Sequence, residues 1–344
     1  MKLSDFDYKL HPSLIAQHPL KDREQSKLMI LDRDSGEIEH KHFYEIVNFL
    51  SENDVLVLNN TKVIPARMYA KKLTGGKVEL LLLKKIDNLL YEVLLGGAGK
   101  IKENDILILP DEKETCTLLK KLGNGKGLVR FNFTFQGVFD RYIDENGITP
   151  TPPYIKRDKP FDEDKDRYQT VFAESEGSCA APTAGLHFTK ELLEKIKLKG
   201  VEIIYITLHV GFGTFKPIKC DNIEDHAMDS EFLEISDLNT ELLNNFKKKG
   251  KRIIAVGTTT SRALESASIK GFLKQFCGET SLFIYPGYKF KFIDSIITNF
   301  HLPDSTLILL VSAFTGKSHI LNAYREAIKS GYRFYSYGDA MFIR

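Results

Sequence analysis

From Arg67 to about Phe135 the hydrophobic residues lose their helical spacing, and this limits the folds that the chain can adopt. Short apolar segments follow one another there, divided by Gly-Gly, Asp-Asn and Gly-Asn-Gly turn signals. The segments are Met68–Leu73, Lys77–Leu83, Tyr91–Leu95, Asp105–Leu109, Cys116–Leu122 and Leu128–Phe133. About six strands in succession, with no helix between them, predict a small antiparallel β-barrel.

Strands and helices alternate on both sides of this stretch. Before it, Phe43, Ile46, Val47 and Leu50 recur at helical spacing, and the apolar run Val55–Leu58 then predicts a strand. The elements predicted after it are helices at Thr189–Lys199, Leu238–Lys249, Arg262–Ser268 and across 304–330, strands at Val201–Val210, Arg252–Val256, near Ser281–Tyr285 and at Tyr332–Ser336, and an apolar segment at Ser295–Phe300. Alternation of this kind is typical of an α/β fold.

The two patterns together predict a mixed-sheet α/β domain that both ends of the chain form, with a small antiparallel β-barrel inserted in it. We expect the α/β domain at residues 1–66 and 150–344 and the barrel at residues 67–149, with the proline-rich connector Thr149–Tyr154 after the barrel. A chain of 344 residues is long enough for two domains with buried cores.

Composition argues against several classes of protein. The four cysteines lie far apart and form no CxxC pair, which argues against a disulfide framework and against a zinc site. The first residues contain no apolar signal region, and no apolar run approaches the about 20 residues that span a bilayer. The formal charge of +2 gives no global basic field for nucleic acid. We therefore expect a cytoplasmic protein without a membrane partner.

The segment Arg252–Arg262 predicts a strand that leads into four consecutive hydroxyl residues and a helix. Thr258, Thr259, Thr260 and Arg262 are candidates to bind a carboxylate, a phosphate or a ribose, because a helix start offers free N–H groups. Ordinary capping by one hydroxyl is the alternative. Four hydroxyl residues in a row favour ligand binding.

His209, Gly211 and Gly213 follow a strongly apolar predicted strand. Ligands bind outside the carboxyl ends of strands in open α/β sheets, and glycines let the backbone approach a ligand closely. Lys216 and Pro217 follow where a helix would open in the dinucleotide fingerprint, so that fingerprint is not present. A lone histidine at a strand end is often structural, but the flanking glycines favour a functional role.

A short stretch concentrates five ionisable residues, which are Glu224, Asp225, His226, Asp229 and Glu231. Crowded ionisable groups in a buried place shift one another's pKa values and are typical of functional sites. An exposed acidic loop is an equally good interpretation. No second histidine stands at ligand spacing, so no metal site is predicted.

Three further segments mix small residues, turn formers and polar side chains in an apolar setting: Ala180–Phe188, Thr298–Pro303 and Tyr335–Met341. Each is a weak signal alone. The sequence contains no GxSxG, HExxH, P-loop or Ser-His-Asp constellation. The residues themselves therefore predict a pocket with His, carboxylate, Arg and hydroxyl groups, without defining a reaction.

Several longer strings occur in a fixed order along the chain: NNTKVIPAR (59–67), GGKVE (75–79), PPYIKR (152–157), AAPTAGLHF, TLHVGFGTF, IEDH, AVGTTTSR, TNFHLP and YSYGDAMFI. In combination they resemble the S-adenosylmethionine:tRNA ribosyltransferase-isomerase family, from near Leu14 to Ile343. The architecture that the resemblance implies, an α/β domain with an inserted β-barrel, agrees with the prediction from periodicity.

The resemblance also implies a reaction. The ribosyl part of S-adenosylmethionine is transferred to 7-aminomethyl-7-deazaguanine at the wobble position of tRNA, which gives epoxyqueuosine and releases adenine and methionine. S-adenosylmethionine is then a consumed substrate, and neither a cofactor nor a metal is expected. The expected partners are tRNA and S-adenosylmethionine, bound by a monomer.

Candidate roles follow from that reaction. His209, His226 and His301 are candidate acid–base groups because imidazole titrates near neutral pH, with Asp225 or Glu224 to orient or assist. The residues Thr258, Thr259, Thr260 and Arg262 suit the methionine carboxylate or the ribose. The other candidate substrate-binding residues are Gly211, Gly213, Glu224, His187, Asn299, Arg67 and Asp339.

The sequence departs from the family pattern at three places. Asp229 stands where a second histidine is common, so a two-histidine mechanism is not assumed. Lys27 replaces a frequent arginine, and Gly96–Gly99 occupy the place of an Arg-Pro pair.

Two other functions remain open at this point. One is an S-adenosylmethionine-dependent RNA methyltransferase, although no strand–GxGxxG–helix context supports it. The other is a non-catalytic RNA-binding module built on the barrel.

Overall fold

The computed structural model describes residues 1–97, 101–157, 161 and 163–344. The chain divides into two compact units: the first comprises Met1–Lys62, Pro152–Arg157 and Arg167–Arg344, and the second comprises Val63–Thr151 with the described part of Asp158–Asp166. The domain bounds expected from the sequence stay a prediction, because compactness alone does not show that a unit folds independently. Among the described helices, none combines the length and the apolar character that a membrane span requires.

The described residues form strands, α-helices and several 3₁₀ helices. The strands, numbered in chain order, are β1 (Lys27–Leu31), β2 (Ile38–His42), β3 (Asp54–Asn59), β4 (Thr61–Val63), β5 (Arg67–Lys72), β6 (Lys77–Asp87), β7 (Leu90–Gly96), β8 (Ile106–Ile108), β9 (Thr115–Gly123), β10 (Lys126–Phe131), β11 (Ser175–Ser178), β12 (Glu202–Leu208), β13 (Glu231–Ile235), β14 (Arg252–Val256), β15 (Ser268–Ile269), β16 (Phe272–Leu273), β17 (Phe276–Thr280), β18 (Ser295–Asn299) and β19 (Ala340–Ile343). The α-helices are α1 (Gln136–Asn146), α2 (Glu163–Arg167), α3 (Lys190–Leu198), α4 (Asp237–Lys248), α5 (Thr258–Ala267), α6 (Thr306–Thr315) and α7 (Lys317–Lys329). The helix predicted around Phe43 is a 3₁₀ helix, Phe43–Phe49.

A nine-stranded mixed sheet runs through the first unit, in the order β17-β13-β12-β3-β14-β18-β19-β1-β2. Strands β12 and β14 both pair with β3 in parallel, and β18 is parallel to β14. Strand β19 runs antiparallel to β18. The carboxyl ends of four parallel strands and the amino end of β19 therefore lie at one edge, where open α/β sheets bind ligands.

Apolar side chains cover both faces of this sheet. Strand β3 is buried at all six positions. In β14, Ile253 and Ala255 join one core cluster, and Ile254 and Val256 join the cluster on the opposite face. Parallel strands that are covered on both faces read as continuous apolar runs, which is why both strands are visible in the sequence.

The second unit contains a closed six-stranded antiparallel barrel, in the order β10-β7-β6-β5-β8-β9. Alternate residues point inward, and Leu80, Val93 and Val129 are fully buried. Helix α1 follows the last barrel strand, and the rings of Phe131 and Phe139 lie 4.3 Å apart. The mixed α/β sheet and the closed barrel confirm the predicted fold class.

Helix α5 begins earlier than the sequence predicts. It starts at Thr258 and not at Arg262, so the hydroxyl run forms its first turn and not a loop before it. The Oγ1 of Thr260 donates to the carbonyl of Val256 at 2.7 Å, and the Oγ of Ser261 donates to that of Gly257 at 3.1 Å. Side chains that bond the backbone four residues earlier can remain within a helix, which the spacing alone did not reveal.

Two predicted strands are wrong. Ser281–Tyr285 and Tyr332–Ser336 are irregular, and the neighbouring strands are β17 and β19. Leu282, Tyr332 and Phe334 pack against the main core. The alternation of apolar residues in these two segments therefore results from their burial in the core and not from pairing with a neighbouring strand.

Candidate active site

At the edge of the sheet where the parallel strands end lies a cavity with about 760 Å³ of empty space, part of which is open to solvent. Residues that follow β12, β14 and β18 line it, together with Ala180, Ala181, Tyr154 and Tyr335. The predicted candidates among the lining residues are Thr258, Thr259, Asn299 and His301. Two segments that are distant in sequence thus place four candidates in one cavity.

Thr258 and Thr259 line the cavity at the start of α5. Gly257 precedes them at φ 95°, a conformation that glycine adopts far more readily than other residues, and it turns the chain from β14 into α5. The first turn of a helix offers free N–H groups to anionic or acceptor oxygens. The Oγ1 of Thr259 is buried and has no hydrogen-bond partner among the described residues. A ligand atom is the natural partner for such a group.

Asn299 ends β18 and connects the cavity to His187. Its Nδ2 lies 3.1 Å from His187 Nε2 and donates to the carbonyl of Tyr335 at 3.1 Å. Because Nε2 of the imidazole accepts from the amide, Nδ1 carries the ring proton and donates to Ser26 Oγ at 2.7 Å. Burial, with Arg333 and Arg23 nearby, lowers the pKa of His187 to about 3. The Oδ1 of Asn299 has no partner in the described part of the chain and is left for a ligand.

His301 lines the same cavity and is only 6% exposed. Its Nε2 lies 2.8 Å from Thr298 Oγ1, and its backbone N–H donates to the Tyr324 hydroxyl at 2.9 Å. The hydroxyl of Tyr8 donates to its carbonyl. Burial lowers the pKa of His301 to about 3, so the ring is neutral at physiological pH. A fixed neutral imidazole faces whatever occupies the cavity.

The two buried imidazoles predict that the protein loses stability in acid. Their pKa values of about 3 lie below the value of about 6.5 in an unfolded chain. Their contribution to the free energy of unfolding is therefore complete above pH 6.5 and is lost as the pH falls from 6.5 towards 3. Between pH 6.5 and pH 5 the loss is about 2 kcal/mol for each ring.

Urea unfolding at pH 6.5 and pH 5 measures this loss. The variant His187→Gln should show a weaker pH dependence, and a variant of the exposed His11, His11→Gln, should keep the native one. Equal free energies of unfolding of the native chain at the two pH values would contradict the prediction.

Two stacked tyrosines form the aromatic wall of the cavity. The rings of Tyr154 and Tyr335 lie 4.5 Å apart at an interplanar angle of 24°. The Tyr154 hydroxyl lies 2.7 Å from Ser336 Oγ, whereas the Tyr335 hydroxyl is buried without a partner among the described residues. Tyr335 lies at φ 72°, a strained conformation for a bulky residue, and such strain is concentrated at functional sites. The wall suits an aromatic ring or a cation.

Arg262 forms an ion pair with a carboxylate of the protein and does not line the cavity. Its Nη1 donates to Glu231 Oε2 at 2.5 Å, and both side chains are nearly inaccessible, at 5% and 3% exposure. The other oxygen of Glu231 accepts from the Gly211 N–H at 2.9 Å and from the Thr214 hydroxyl at 3.1 Å. Thr214 lines the cavity. Arg262 and Gly211 therefore position the carboxylate of Glu231, and this carboxylate positions Thr214 in the cavity wall.

His209 does not line the cavity, although Val210, the next residue, does. Successive residues of an extended chain point to opposite sides, so only one of the two can face the cavity. The Nδ1 of His209 lies 2.7 Å from Thr61 Oγ1, and its ring stacks on Phe232 at 5.6 Å. Burial lowers its pKa.

Glu224 and Asp225 are exposed and lie outside the cavity lining. Glu224 accepts from the amino group of Met1 at 2.8 Å, and Asp225 accepts from Asn222 Nδ2 at 3.2 Å. These contacts agree with the exposed acidic loop that the sequence left open.

His226 also lies outside the lining and packs edge-on against Phe283 at 5.2 Å. Partial burial lowers its pKa, and Asp229 acts in the opposite direction. Asp229 forms an ion pair with Lys216, a lining residue, at 3.0 Å. A side chain at Gly213 would collide with Asp229, so this glycine permits a contact within the protein.

Asp339 and Arg67 have protein partners. Asp339 is 2% exposed and accepts from the backbone N–H of Arg333 at 2.8 Å, from its guanidinium at 3.0 Å and from the N–H of Lys27 at 3.1 Å. Arg67 lies in the barrel unit and pairs with Glu79 at 3.0 Å.

The other two departures from the family pattern are at Lys27 and at Gly96–Gly99. Lys27 Nζ donates to the carbonyl of Ser330 at 2.8 Å and lies 5.1 Å from the centre of the Tyr332 ring. Gly96 ends β7, and Gly97 follows in a turn. Ala98 and Gly99 lie outside the described residues.

Reasoning from the sequence missed several residues that form or support the cavity: Tyr154, Tyr335, Ser336, Thr214, Lys216 and Glu231. Glu231 carried one signal, its place in the charged stretch, and Tyr335 and Ser336 carried a weak one, their place in the segment Tyr335–Met341. The stacking of Tyr154 on Tyr335 joins segments that are far apart in the sequence, so no local pattern indicates it. In the part of the chain that the structure describes, no group of three or more His, Cys, Asp or Glu side chains is arranged to hold a metal.

Comparisons with known proteins identify the family of the chain. The family model described as "Queuosine biosynthesis protein" matches residues 3–343. An S-adenosylmethionine:tRNA ribosyltransferase-isomerase of Staphylococcus haemolyticus is 50% identical over 347 residues, which cover 100% of each chain. The crystal structure of an S-adenosylmethionine tRNA ribosyltransferase from Thermotoga maritima matches with a TM-score of 0.57 at 38% identity, over 99% of this chain and 100% of that one. The chain described here therefore belongs to the queuosine biosynthesis protein family.

Proposed function

We propose that this chain is an S-adenosylmethionine:tRNA ribosyltransferase-isomerase. It transfers and isomerises the ribosyl group of S-adenosylmethionine onto 7-aminomethyl-7-deazaguanine at the tRNA wobble position, and it releases adenine and methionine. The observation that carries the proposal is the 50% sequence identity, over the full chain, to a relative with this name. The cavity supports it, because the buried polar atoms Thr259 Oγ1, Asn299 Oδ1 and Tyr335 OH lack partners among the described residues.

S-adenosylmethionine suits this cavity in chemistry. The stacked Tyr154 and Tyr335 rings offer a face to adenine or to the sulfonium. The N–H groups and hydroxyls of Thr258 and Thr259 suit the carboxylate or the ribose. S-adenosylmethionine is consumed as a substrate, and the proposal requires no metal.

The reaction needs several proton transfers. The sulfonium acidifies the adjacent ribose C5′–H, adenine needs a proton as it leaves, and the aminomethyl nucleophile, with a pKa of roughly 10 like that of a lysine amine, must lose one before it attacks. Closure of the epoxide then expels methionine. We assign His301 as the acid–base group of the cavity, because it is the histidine among the described lining residues. His209 and His226 lie outside the lining and have no step in this proposal.

Product analysis tests the proposal against the methyltransferase alternative. We expect that the chain, incubated with S-adenosylmethionine and tRNA that carries the deazaguanine precursor, releases free adenine and adds the ribosyl-derived group to the tRNA. The measurement is chromatography of the small products and mass analysis of the nucleosides. The same tRNA with unmodified guanine, which lacks the aminomethyl nucleophile, is the control. Release of S-adenosylhomocysteine with a methylated nucleoside would establish the alternative.

The remaining parts of the proposal concern the setting of the enzyme. We place it in the cytoplasm, where its tRNA substrate is available, and we propose that it acts as a monomer. The barrel is proposed as a domain inserted at residues 67–149 of an α/β domain.

A further inference from the structure

A second cavity of about 300 Å³ lies beside the first in the same unit. Ser336 lines both cavities. The hydrogen bond between Asn299 and His187 also joins them, because Asn299 lines the first and His187 lines the second. The ionisable residues of the second cavity are Arg23, Arg167, Arg333, His187 and Tyr337. A ligand in one cavity is therefore close to a ligand in the other.

Backbone carbonyls fix two of the arginines. Arg23 Nη1 donates to the carbonyls of Gln169 at 2.8 Å and Leu186 at 3.3 Å. Arg167 donates to the carbonyls of Lys21 at 3.2 Å and of Leu20. The carbonyls of Leu20 and Lys21 carry no net charge, so they position the Arg167 guanidinium without neutralising it. The Nε of Arg167 is buried and has no partner among the described residues.

The charge of this cavity is positive. Arg333 pairs with Asp339, but none of the described residues that line the cavity is an aspartate or a glutamate. The arginines act on their neighbours, because burial and then Arg167 lower the pKa of Arg23. Burial, Arg333 and Arg23 likewise lower the pKa of His187 to about 3. Such a concentration of positive charge in a cleft attracts an anion.

We propose that this arginine cavity binds a phosphodiester of the RNA substrate, beside the nucleotide whose base enters the first cavity. The inference rests on the proposed function, which supplies the RNA. A base that enters a cavity carries a phosphodiester on each side, and contacts to phosphate fix the position of a nucleic acid. The planar guanidinium matches phosphate oxygens with two parallel hydrogen bonds.

The carboxylate of S-adenosylmethionine is the competing anion for this cavity. That carboxylate already has a suitable partner in the first turn of α5, within the first cavity. The arginine cavity is therefore left for an anion that another substrate carries, and RNA is that substrate.

The binding of an anticodon stem-loop RNA with the deazaguanine precursor tests the proposal. We expect Arg23→Gln and Arg167→Gln each to weaken binding about tenfold at low salt. Each should also lower the slope of log K against log salt by about 0.7–0.9, the change that one lost phosphate contact produces. The exposed Arg325 on α7 is the matched control, and Arg325→Gln should keep the native slope. The KM for S-adenosylmethionine should not change.

A second arm alters the RNA, because Arg23 and Arg167 also anchor backbone carbonyls and their variants can unfold. A neutral methylphosphonate linkage next to the modified nucleotide should weaken binding to the native chain about tenfold. The same linkage in the stem is the control. In a folded Arg167→Gln variant, the linkage next to the modified nucleotide should have little further effect, because the contact is already lost.

Three results would overturn the proposal. They are native binding by the methylphosphonate RNA, native salt slopes in folded Arg23 and Arg167 variants, and a raised KM for S-adenosylmethionine with unchanged RNA binding. The two RNA-binding measurements do not depend on turnover. Adenine release by the native chain decides the proposed function separately.

Discussion

The variant His301→Gln is expected to lower kcat for ribosyl transfer by about 10²-fold or more, the usual contribution of a positioned acid–base group. His301 is the histidine of the first cavity's lining, and its carbonyl and N–H are fixed by Tyr8 and Tyr324. Glutamine can still bond Thr298, but it cannot accept and return a proton at neutral pH. Single-turnover release of adenine, at saturating tRNA and S-adenosylmethionine, measures the chemical step.

His209 supplies a matched control for this experiment. Its ring bonds the Thr61 hydroxyl at 2.7 Å as that of His301 bonds Thr298 at 2.8 Å, but it lies outside the cavity lining. His209→Gln is therefore expected to keep a rate close to the native one, and the unfolding midpoints of both variants verify that they fold. A loss of activity in His209→Gln, with a native rate in His301→Gln, would contradict the assignment of His301. It would instead support His209 as the acid–base group, a role that the sequence analysis also considered.

The sequence was sufficient for the fold class and for one half of the candidate site. Strands that are buried on both faces, such as β3 and β14, remain visible as apolar runs, and the barrel strands remain visible through turns and the loss of helical period. The parallel strands then bring their carboxyl ends to one edge. That rule accounts for the meeting of Thr258 and Thr259 with Asn299 and His301.

The other half of the candidate site depends on contacts between residues that are distant in the sequence, which no local sequence pattern indicates. His209 and Val210 are neighbours in the sequence, and only the pairing of β12 within the sheet decides which of them faces the cavity. Arg262 looked free to bind an anion because its partner Glu231 lies on another strand. Tyr335 looked like part of a strand because its segment is apolar, although its left-handed backbone excludes it from a ladder.

The arrangement of charge around the first cavity is compatible with a cationic substrate. His301 is neutral because it is buried. Arg262 is paired with Glu231, and Lys216, the lysine of the lining, is paired with Asp229. A sulfonium that enters the cavity therefore meets no unpaired cation among the described lining residues. The second cavity, with its arginines, has the opposite character and suits the phosphodiester that we propose for it.

The largest expected effect on stability comes from Arg262→Met. The substitution leaves the carboxylate of Glu231, which is 3% exposed, without its guanidinium. Removal of one partner from a buried ion pair costs about 3–5 kcal/mol, because the remaining charge is buried without compensation. We therefore expect the free energy of unfolding, measured with urea at pH 7, to fall by that amount.

Two further variants separate this mechanism from a simple loss of packing. In Arg262→Met combined with Glu231→Gln, the amide oxygen can still accept from the Gly211 N–H and the Thr214 hydroxyl, and no buried charge remains. More than half of the lost stability should return. Arg344→Met removes the same side chain from an ion pair with Glu39 in which both partners are exposed, at 37% and 48%, so a loss of no more than about 1 kcal/mol is expected. Equal losses in Arg262→Met and Arg344→Met, with no recovery in the double variant, would show that the buried charge of Glu231 is not the cause.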